Sequence, residues 1–475
     1  MSDIAAPTPE GTIVVSHTAQ HFVPHAPEVV WDWLSRPGAV VRLAPKFVPM
    51  VPIEEPKRLA DGTTVFSLPA GLRWVSRYNL VDYVPGQRAT SLCIKAPLKA
   101  LSNWRHTHTL TPQGDGTLIT EEVHTNMPTS SVEAMLAYRQ HQLVSDLATL
   151  QALGPLNAKP KVIAMTGTHG LVGRSLRALL TTSGHRVISL VRDLEEPSTT
   201  PGAINRTAED QRLWDPVSPA LDLLEGVDCL VHLAGEPLVG RFHEEHRRAI
   251  RASRVGPTAA LARRAAASST CTVMVCASAI GYYGHEHSDT PVDETAPKGE
   301  GFLADVTADW EDACSPAVDA GVRVVSVRTG VTLSSWGGIL PIVRTLFSTG
   351  LGGHVGSGEH RLSWISLDDL TDIYRLAILD ESLVGPINAV APSPITHRDF
   401  SRELGSQMGR PSIIPIPSFG PRLLLGSQGA QELVLADHNV CSSVLTSEFR
   451  HPTIDSALAH ELGGEGFRDA SDTIG

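Results

Sequence analysis

Between Lys161 and Arg192 the chain reads KVIAMTGTHGLVGRSLRALLTTSGHRVISLVR, and few backbones can accommodate this stretch. An apolar run with β-branched Val162 and Ile163 leads to Thr166 and then to glycines at 167, 170 and 173. Leu171, Val172, Leu176, Leu179 and Leu180 follow at helical spacing, Gly184 stops the helix, and Val187 to Val191 form a second apolar run. The order is strand, turn, helix, strand. In such a unit the first glycine allows a tight turn, the second lets a pyrophosphate approach the main chain, and the third lets helix and strand pack closely. The helix start adds N–H groups without intrahelical partners and the positive end of the helix dipole. Thr166, Gly167, Gly170, Leu171, Val172 and Gly173 are therefore the candidate phosphate-binding residues for a dinucleotide.

The spacing is Gly-x-x-Gly-x-x-Gly, and with Thr166 in front it resembles the extended short-chain dehydrogenases and nucleoside-sugar epimerases. Arg192 ends the second strand, about where an NAD-binding protein places a carboxylate for the ribose 2′-hydroxyl. A guanidinium offers bidentate, charged donors to a 2′-phosphate, so NADP is expected ahead of NAD. Asp193 next door tempers that preference.

The remaining composition narrows the function classes. A chain of 475 residues with 42% hydrophobic and 19% charged side chains is expected to form two or three globular domains. A net charge of −12 without a lysine/arginine cluster argues against a nucleic-acid partner. The N-terminus lacks a basic and an apolar targeting region, and no run of about 18 apolar residues follows, so a cytoplasmic protein without a membrane span is expected. The six cysteines are scattered and form no Cys-x-x-Cys pair, which reads as reduced core thiols and no metal site.

Residues 1–153 have a different character. A strand from Ile13 to Phe22 and a short helix from Pro27 to Leu34 are followed by strands at Thr63–Leu68, Leu72–Tyr83, Ala89–Lys95, Trp104–Thr111 and Thr117–Met127. The last two flank the hairpin signal Gln113-Gly114-Asp115-Gly116. A final helix carries Val132, Leu136, Leu143, Leu147 and Leu150 on one face, with Ser130 and Ser131 as N-caps. This α+β order, with Trp31-Asp32-Trp33-Leu34 early and Trp104-Arg105-His106-Thr107-His108 late, resembles the START-like helix-grip (SRPBCC, polyketide cyclase-like) family. The resemblance implies an apolar ligand cavity between sheet and helix. His106 and His108 share one strand face.

Gly154 to Pro160 reads as a linker, and an α/β Rossmann domain of the extended short-chain dehydrogenase type is expected over 161–405. Its buried strand Cys229-Leu230-Val231-His232 delivers Leu233, Ala234 and Gly235 to the cofactor side, with His232 read as a packed core residue. The next strand delivers Ser278-Ala279-Ile280-Gly281-Tyr282-Tyr283-Gly284. In short-chain dehydrogenases this position holds the Ser or Thr whose hydroxyl meets the reacting carbonyl, assisted by a Tyr-x-x-x-Lys pair. Here Phe302-Leu303-Ala304-Asp305-Val306 stands in place of that pair. A phenyl ring transfers no proton, and valine cannot lower a neighbour's pKa. Ser278, Tyr282, Tyr283 and Glu294, the last as a carboxylate base if desolvated, are therefore the candidates for acid/base work. His354, in the glycine-rich loop Gly350 to Gly358, is a further candidate, whereas Asp368 and Asp369 read as N-terminal helix caps.

Leu233-Ala234-Gly235-Glu236-Pro237, Ser253-Arg254-Val255, the Ser278 series, Trp310-Glu311, Arg328-Thr329-Gly330-Val331, Leu351-Gly352-Gly353 and Trp364 to Asp369 together resemble the atypical epimerase family once mislabelled as cell-division inhibitors. That family ends in a small region of unknown function, similar to Pro417–Gly426, Gln431-Glu432-Leu433 and Phe449-Arg450-His451-Pro452 here, so 406–475 is expected to pack on the Rossmann domain. The resemblance implies an NADP-dependent oxidoreductase or epimerase-like enzyme acting on a small carbonyl or hydroxyl compound. The alternatives are a non-catalytic NADP-binding regulator, or a hydrophobic-ligand carrier with a regulatory nucleotide domain. Expected partners are a small-molecule substrate, an apolar ligand of the front domain and a second copy in a homodimer.

Overall fold

The computed structural model describes residues 15–194, 210–285, 290–417, 419–445 and 448–463. Ile13, Ala203 to Glu209 of the loop before Trp214, and the chain beyond 463 lie outside the described residues. Two compact units emerge, one within residues 1–144 and the other within 145–467.

In the first unit seven antiparallel strands lie in the order Val15–Val23, Gly116–Thr125, Arg105–Gln113, Arg88–Cys93, Arg73–Tyr78, Thr63–Ser67 and Val51–Glu54. The hairpin falls where the glycines place it, with Gln113 paired to Gly116 across Gly114-Asp115. Val51–Glu54 was not apparent in the sequence because it is four residues long and contains Pro52. It lies at the sheet edge, where a proline without an N–H is tolerated. The run expected to be a strand as far as Tyr83 stops at Tyr78, because the Asn79 side chain accepts the N–H of Val81 and turns the chain through Leu80–Asp82.

The helix Thr129–Leu153 buries Val132, Leu136 and Leu143. A cavity of about 140 Å³ is lined by Met50, Phe66, Trp74, Ser91 and Trp104, by Leu136 and Arg139 of the helix, and by His106 and His108. Glu121 accepts from His106 at 3.1 Å and from Arg139 at 2.9 Å. Burial alone would raise the Glu121 pKa, but Arg139 and His106 hold it well below the usual carboxylate range. Burial pushes His108 down to about 3.

The expected linker at 154–160 is not where the units divide. The division falls inside the long helix, whose final residue Leu153 is buried with Ile163, Leu176 and Leu180 of the second unit. That unit is built on a parallel sheet in the order Gln211–Leu213, Arg186–Val191, Val162–Thr166, Cys229–His232, Val273–Ala279, Arg323–Thr329 and Gly385–Ala389. Successive strands run outward from Val162–Thr166 in one direction and then from Cys229–His232 in the other. The carboxyl ends of those two strands therefore open a crevice. The strands are near-continuous apolar runs because helices cover both faces, which produces one core under each face. Among the described residues no helix is long and apolar enough to cross a membrane.

Candidate active site

Gly167 sits at φ +71°, the left-handed turn that a glycine adopts without strain. Gly170 is the N-cap of the helix Leu171–Thr182 and offers no side chain to cap it, so the first N–H groups of the helix remain available to an anion. A methyl added at Gly170 would meet no atom closer than the Gly167 carbonyl oxygen at 3.3 Å, whereas one at Gly173 would lie 2.1 Å from that same oxygen. The third glycine thus packs the helix against its own turn rather than against the strand. These features suit a diphosphate at the turn.

Thr166 is completely buried, and its hydroxyl turns to the neighbouring strand rather than to a ligand. Its Oγ1 accepts the N–H groups of Leu233 at 3.0 Å and Ala234 at 3.2 Å, and lies 2.8 Å from Nδ1 of His232. Two accepted bonds use both lone pairs, so the hydroxyl proton goes to His232 Nδ1 and the imidazole is neutral, with its own proton on Nε2. Burial lowers the His232 pKa to about 4, in keeping with that state. Thr166 and His232 therefore brace the wall formed by Leu233, Ala234 and Gly235. Arg192 is exposed at the end of its strand.

A cavity of about 450 Å³ opens beside this wall. It is lined by Val172 of the nucleotide helix and Leu233, by Ser278 to Gly281, by Leu303, Val306 and Trp310, and by Arg254, Glu432 and His438. The Ser278 hydroxyl donates to Glu311 Oε1 at 2.5 Å. Arg328 clamps that carboxylate through Nε at 2.8 Å and Nη2 at 2.7 Å. Burial alone would lower the Arg328 pKa, but Glu311 keeps it raised. Such a fork-to-fork pair fixes both side chains.

The two tyrosines take different places from the ones expected. Tyr283 donates to Asn388 Oδ1 at 2.8 Å and accepts from Arg328 Nη1 at 2.9 Å. Burial raises its pKa. The Tyr282 ring lies under the Arg328 guanidinium, 3.5 Å from its centre. Neither lines the cavity, and both buttress Arg328.

Glu294 is not a desolvated base. Its carboxylate accepts from the Asn388 N–H at 2.8 Å, the Ser442 hydroxyl at 2.6 Å, and the Ser443 N–H at 2.8 Å and hydroxyl at 3.0 Å. Burial alone would raise its pKa, but these donors outweigh it and lower the value. The glutamate staples the end of a sheet strand to the segment around Ser442. Phe302, standing where the missing tyrosine is sought, packs edge-on against Phe242. His354 does not line the cavity.

Arg254 stands out among the lining residues. It is 9% exposed, lies over the Trp310 ring at 5.1 Å, and donates to the carbonyls of Glu236 at 2.9 Å and Ile250 at 3.1 Å. Its polar partners among the described residues are main-chain carbonyls and the Ser253 hydroxyl, none of them a carboxylate, and burial holds its pKa down to about 10. A buried cation of this kind attracts an anionic group. Glu311, Arg328 and Arg254 were not among the residues first expected to act. Their only signal was membership of the segments Trp310-Glu311, Arg328-Thr329 and Ser253-Arg254-Val255. Glu432 was equally silent, yet it caps the helix Phe302–Asp312 by accepting from Phe302 at 3.2 Å and Leu303 at 2.7 Å.

Residues 163–387 match the NAD-dependent epimerase/dehydratase family, and 14–152 match the family of polyketide cyclases, dehydrases and lipid-transport proteins. A domain of unknown function matches 416–461. An epimerase family protein of Mycobacterium bovis is 36% identical over 304 residues, which are 63% of this chain and 97% of that protein.

The chain belongs to the epimerase family.

Its atypical short-chain dehydrogenase character, front START-like domain and trailing region of unknown function follow from the same matches. The solved nucleoside-diphosphate sugar epimerase of Corynebacterium glutamicum is 47% identical, with a TM-score of 0.82, over 96% of this chain and 93% of that one. The human epimerase family protein SDR39U1, solved with NADPH, is 27% identical with a TM-score of 0.56, over 64% of this chain and 99% of that one.

Proposed function

We propose that this epimerase family member binds NADP in preference to NAD and acts as an oxidoreductase or epimerase-like enzyme on a small carbonyl or hydroxyl compound that carries an anionic group. The observation that carries this reading is one cavity lined at once by the nucleotide helix, by Ser278 and by the ion-pair-free Arg254. The diphosphate would lie on the turn Gly167 to Gly173, with Arg192 on the 2′-phosphate; the human relative solved with NADPH supports that choice. A bound nicotinamide supplies a hydride acceptor or donor.

Ser278 and Glu311 take the proton-handling part that Tyr-x-x-x-Lys plays elsewhere. The Ser278 proton is already directed to Glu311 Oε1, which leaves the Ser278 lone pairs to accept from a substrate hydroxyl. As the substrate O–H proton moves to Ser278 Oγ, the serine proton moves to Glu311; the reverse transfer protonates a carbonyl. Arg328 holds the carboxylate in line, and Arg254 anchors the substrate anion. A nucleoside-diphosphate sugar, the substrate class named for the C. glutamicum protein, is one such compound.

Titration calorimetry with both coenzymes tests the cofactor part. Arg192→Ala should weaken NADPH binding about tenfold or more and leave NADH within about twofold; equal losses would remove Arg192 from the 2′-phosphate. For the proton part, Glu311→Gln preserves the shape of the clamp and should lower turnover by about 10²–10⁴-fold at nearly unchanged NADPH affinity. Full turnover in that variant would remove Glu311 from the relay.

The first unit favours a second reading, a carrier of an apolar ligand. His108 is 6% exposed, lines the 140 Å³ cavity, and leaves its Nε2 without a hydrogen-bond partner. An apolar molecule bearing one hydroxyl or carbonyl fits those walls. Solvent extraction of the full-length protein followed by mass spectrometry should recover it in near-stoichiometric amount, and Ser91→Phe, which fills the cavity, should abolish recovery.

A further inference from the structure

We propose that Asp368, His451 and His460 bind a divalent transition-metal cation, with zinc the first choice, and that this ion fastens the C-terminal region to the Rossmann domain. Asp368 lies in the first turn of the helix Leu367–Leu379. His451 directly precedes Pro452, and His460 lies in the helix Ile454–Leu462. Asp368 stands more than 80 positions before the two histidines, so no local spacing announces the set. All are buried, at 1%, 3% and 2% exposure.

Their ligand atoms, one from each residue, lie within 4.8 Å of one another. His460 Nε2 and Asp368 Oδ2 are 3.2 Å apart, close to the roughly 3.3 Å that separates two ligands on a tetrahedral ion with bonds of about 2.0–2.1 Å. The two imidazole rings stand 4.6 Å apart, centre to centre, at an angle of 34°. Shifts of about an ångström would bring all three onto one ion. Two imidazoles and a carboxylate are the donor set that zinc and its first-row neighbours accept, and the second oxygen of Asp368 or a water completes the shell.

The residues around the cluster are themselves held in place by ion pairs and hydrogen bonds. Arg450 binds Asp146 and Asp372, its N–H and that of His451 bind Asp369, and Arg375 binds Asp372. This network ties Arg450, next to His451, to Asp369, next to Asp368. Enclosure on all sides makes this a structural site, remote in role from the cavity that contains Ser278.

The full-length protein, expressed with zinc in the medium, is analysed by elemental mass spectrometry after gel filtration. We expect about one equivalent of metal per chain. Removal with a chelator should lower Tm by several degrees, and added zinc should restore it. Cobalt in place of zinc should give the visible bands of a tetrahedral ion with nitrogen and oxygen ligands. Asp368→Asn, which keeps the shape, should cut metal content at least tenfold, whereas His354→Ala should retain it. Substoichiometric metal, no cobalt spectrum and no response of Tm to zinc would overturn the proposal and leave a buried Asp–His hydrogen-bonded cluster. These readouts involve no NADPH, so their failure is separate from failure of the cofactor reading.

Discussion

Gly173→Ala should abolish measurable NADPH binding, a loss of about 100-fold or more in affinity. The added methyl would stand 2.1 Å from the Gly167 carbonyl oxygen and 2.8 Å from its carbonyl carbon. Both are main-chain atoms and cannot swing aside as a flexible side chain does. Relief must come from the turn itself, which holds Gly167 at φ +71° against Leu233 and Ala234. Opening it would misdirect the N–H groups at the start of the helix Leu171–Thr182. Overpacking of this kind also lowers stability by about 1–3 kcal/mol.

Gly256→Ala is the control. Its methyl would meet nothing within 4 Å, so it should leave NADPH affinity unchanged and stabilise the helix Val255–Ala267 by up to about 1 kcal/mol. Titration calorimetry and thermal melts read both variants. Native-like NADPH affinity in Gly173→Ala would remove the glycine turn from the binding site.

Acidification from pH 7.5 to 4 should weaken both the fold and the coenzyme site through His232. Its folded pKa is near 4, against 6.5 for an exposed imidazole. Between those values the unfolded chain takes up a proton that the folded chain refuses, so stability is fully present above pH 6.5 and falls as pH drops towards 4. The loss reaches on the order of 3 kcal/mol for this one group. His108 acts in the same direction in the first unit, with its window extending to about 3.

Of these two histidines, His232 is the one that couples the loss to binding. A proton on Nδ1 would face the Thr166 hydroxyl, whose lone pairs already hold Leu233 and Ala234, and the brace would break. NADPH affinity should therefore fall in step with stability below pH 6.5. His232→Asn keeps an acceptor for the threonine proton but cannot titrate, and it should flatten that dependence. A native affinity that stays level from pH 6.5 to 4.5 would dispose of the coupling.

The two units and their principal elements were readable because periodicity and glycine placement are local properties. The strand–turn–helix at Val162–Thr182 follows from apolar spacing, as does the helix Thr129–Leu153. Errors arose where a strand is short and holds a proline, as at Val51–Glu54, and where a local side-chain hydrogen bond overrides a pattern, as at the turn after Tyr78. Glu294 looked like a free carboxylate because the residues that saturate it, Asn388, Ser442 and Ser443, lie some 94 to 149 positions away. Tyr282 and Tyr283 lay beside Ser278 in sequence, but the structure spends them on Arg328.

Sequence by itself determined the parallel sheet, the glycine turn at its centre, the helix-grip unit ahead of it and the absence of a Tyr-x-x-x-Lys pair. Each of these is a matter of which residues follow one another along the chain. Tertiary structure alone decided that Glu311 accepts the Ser278 hydrogen bond, that Arg254 faces a cavity with no carboxylate partner among the described residues, and that Asp368 meets His451 and His460. Those relations depend on distances between side chains on separate elements, and such distances exist only after the core has closed and fixed each rotamer.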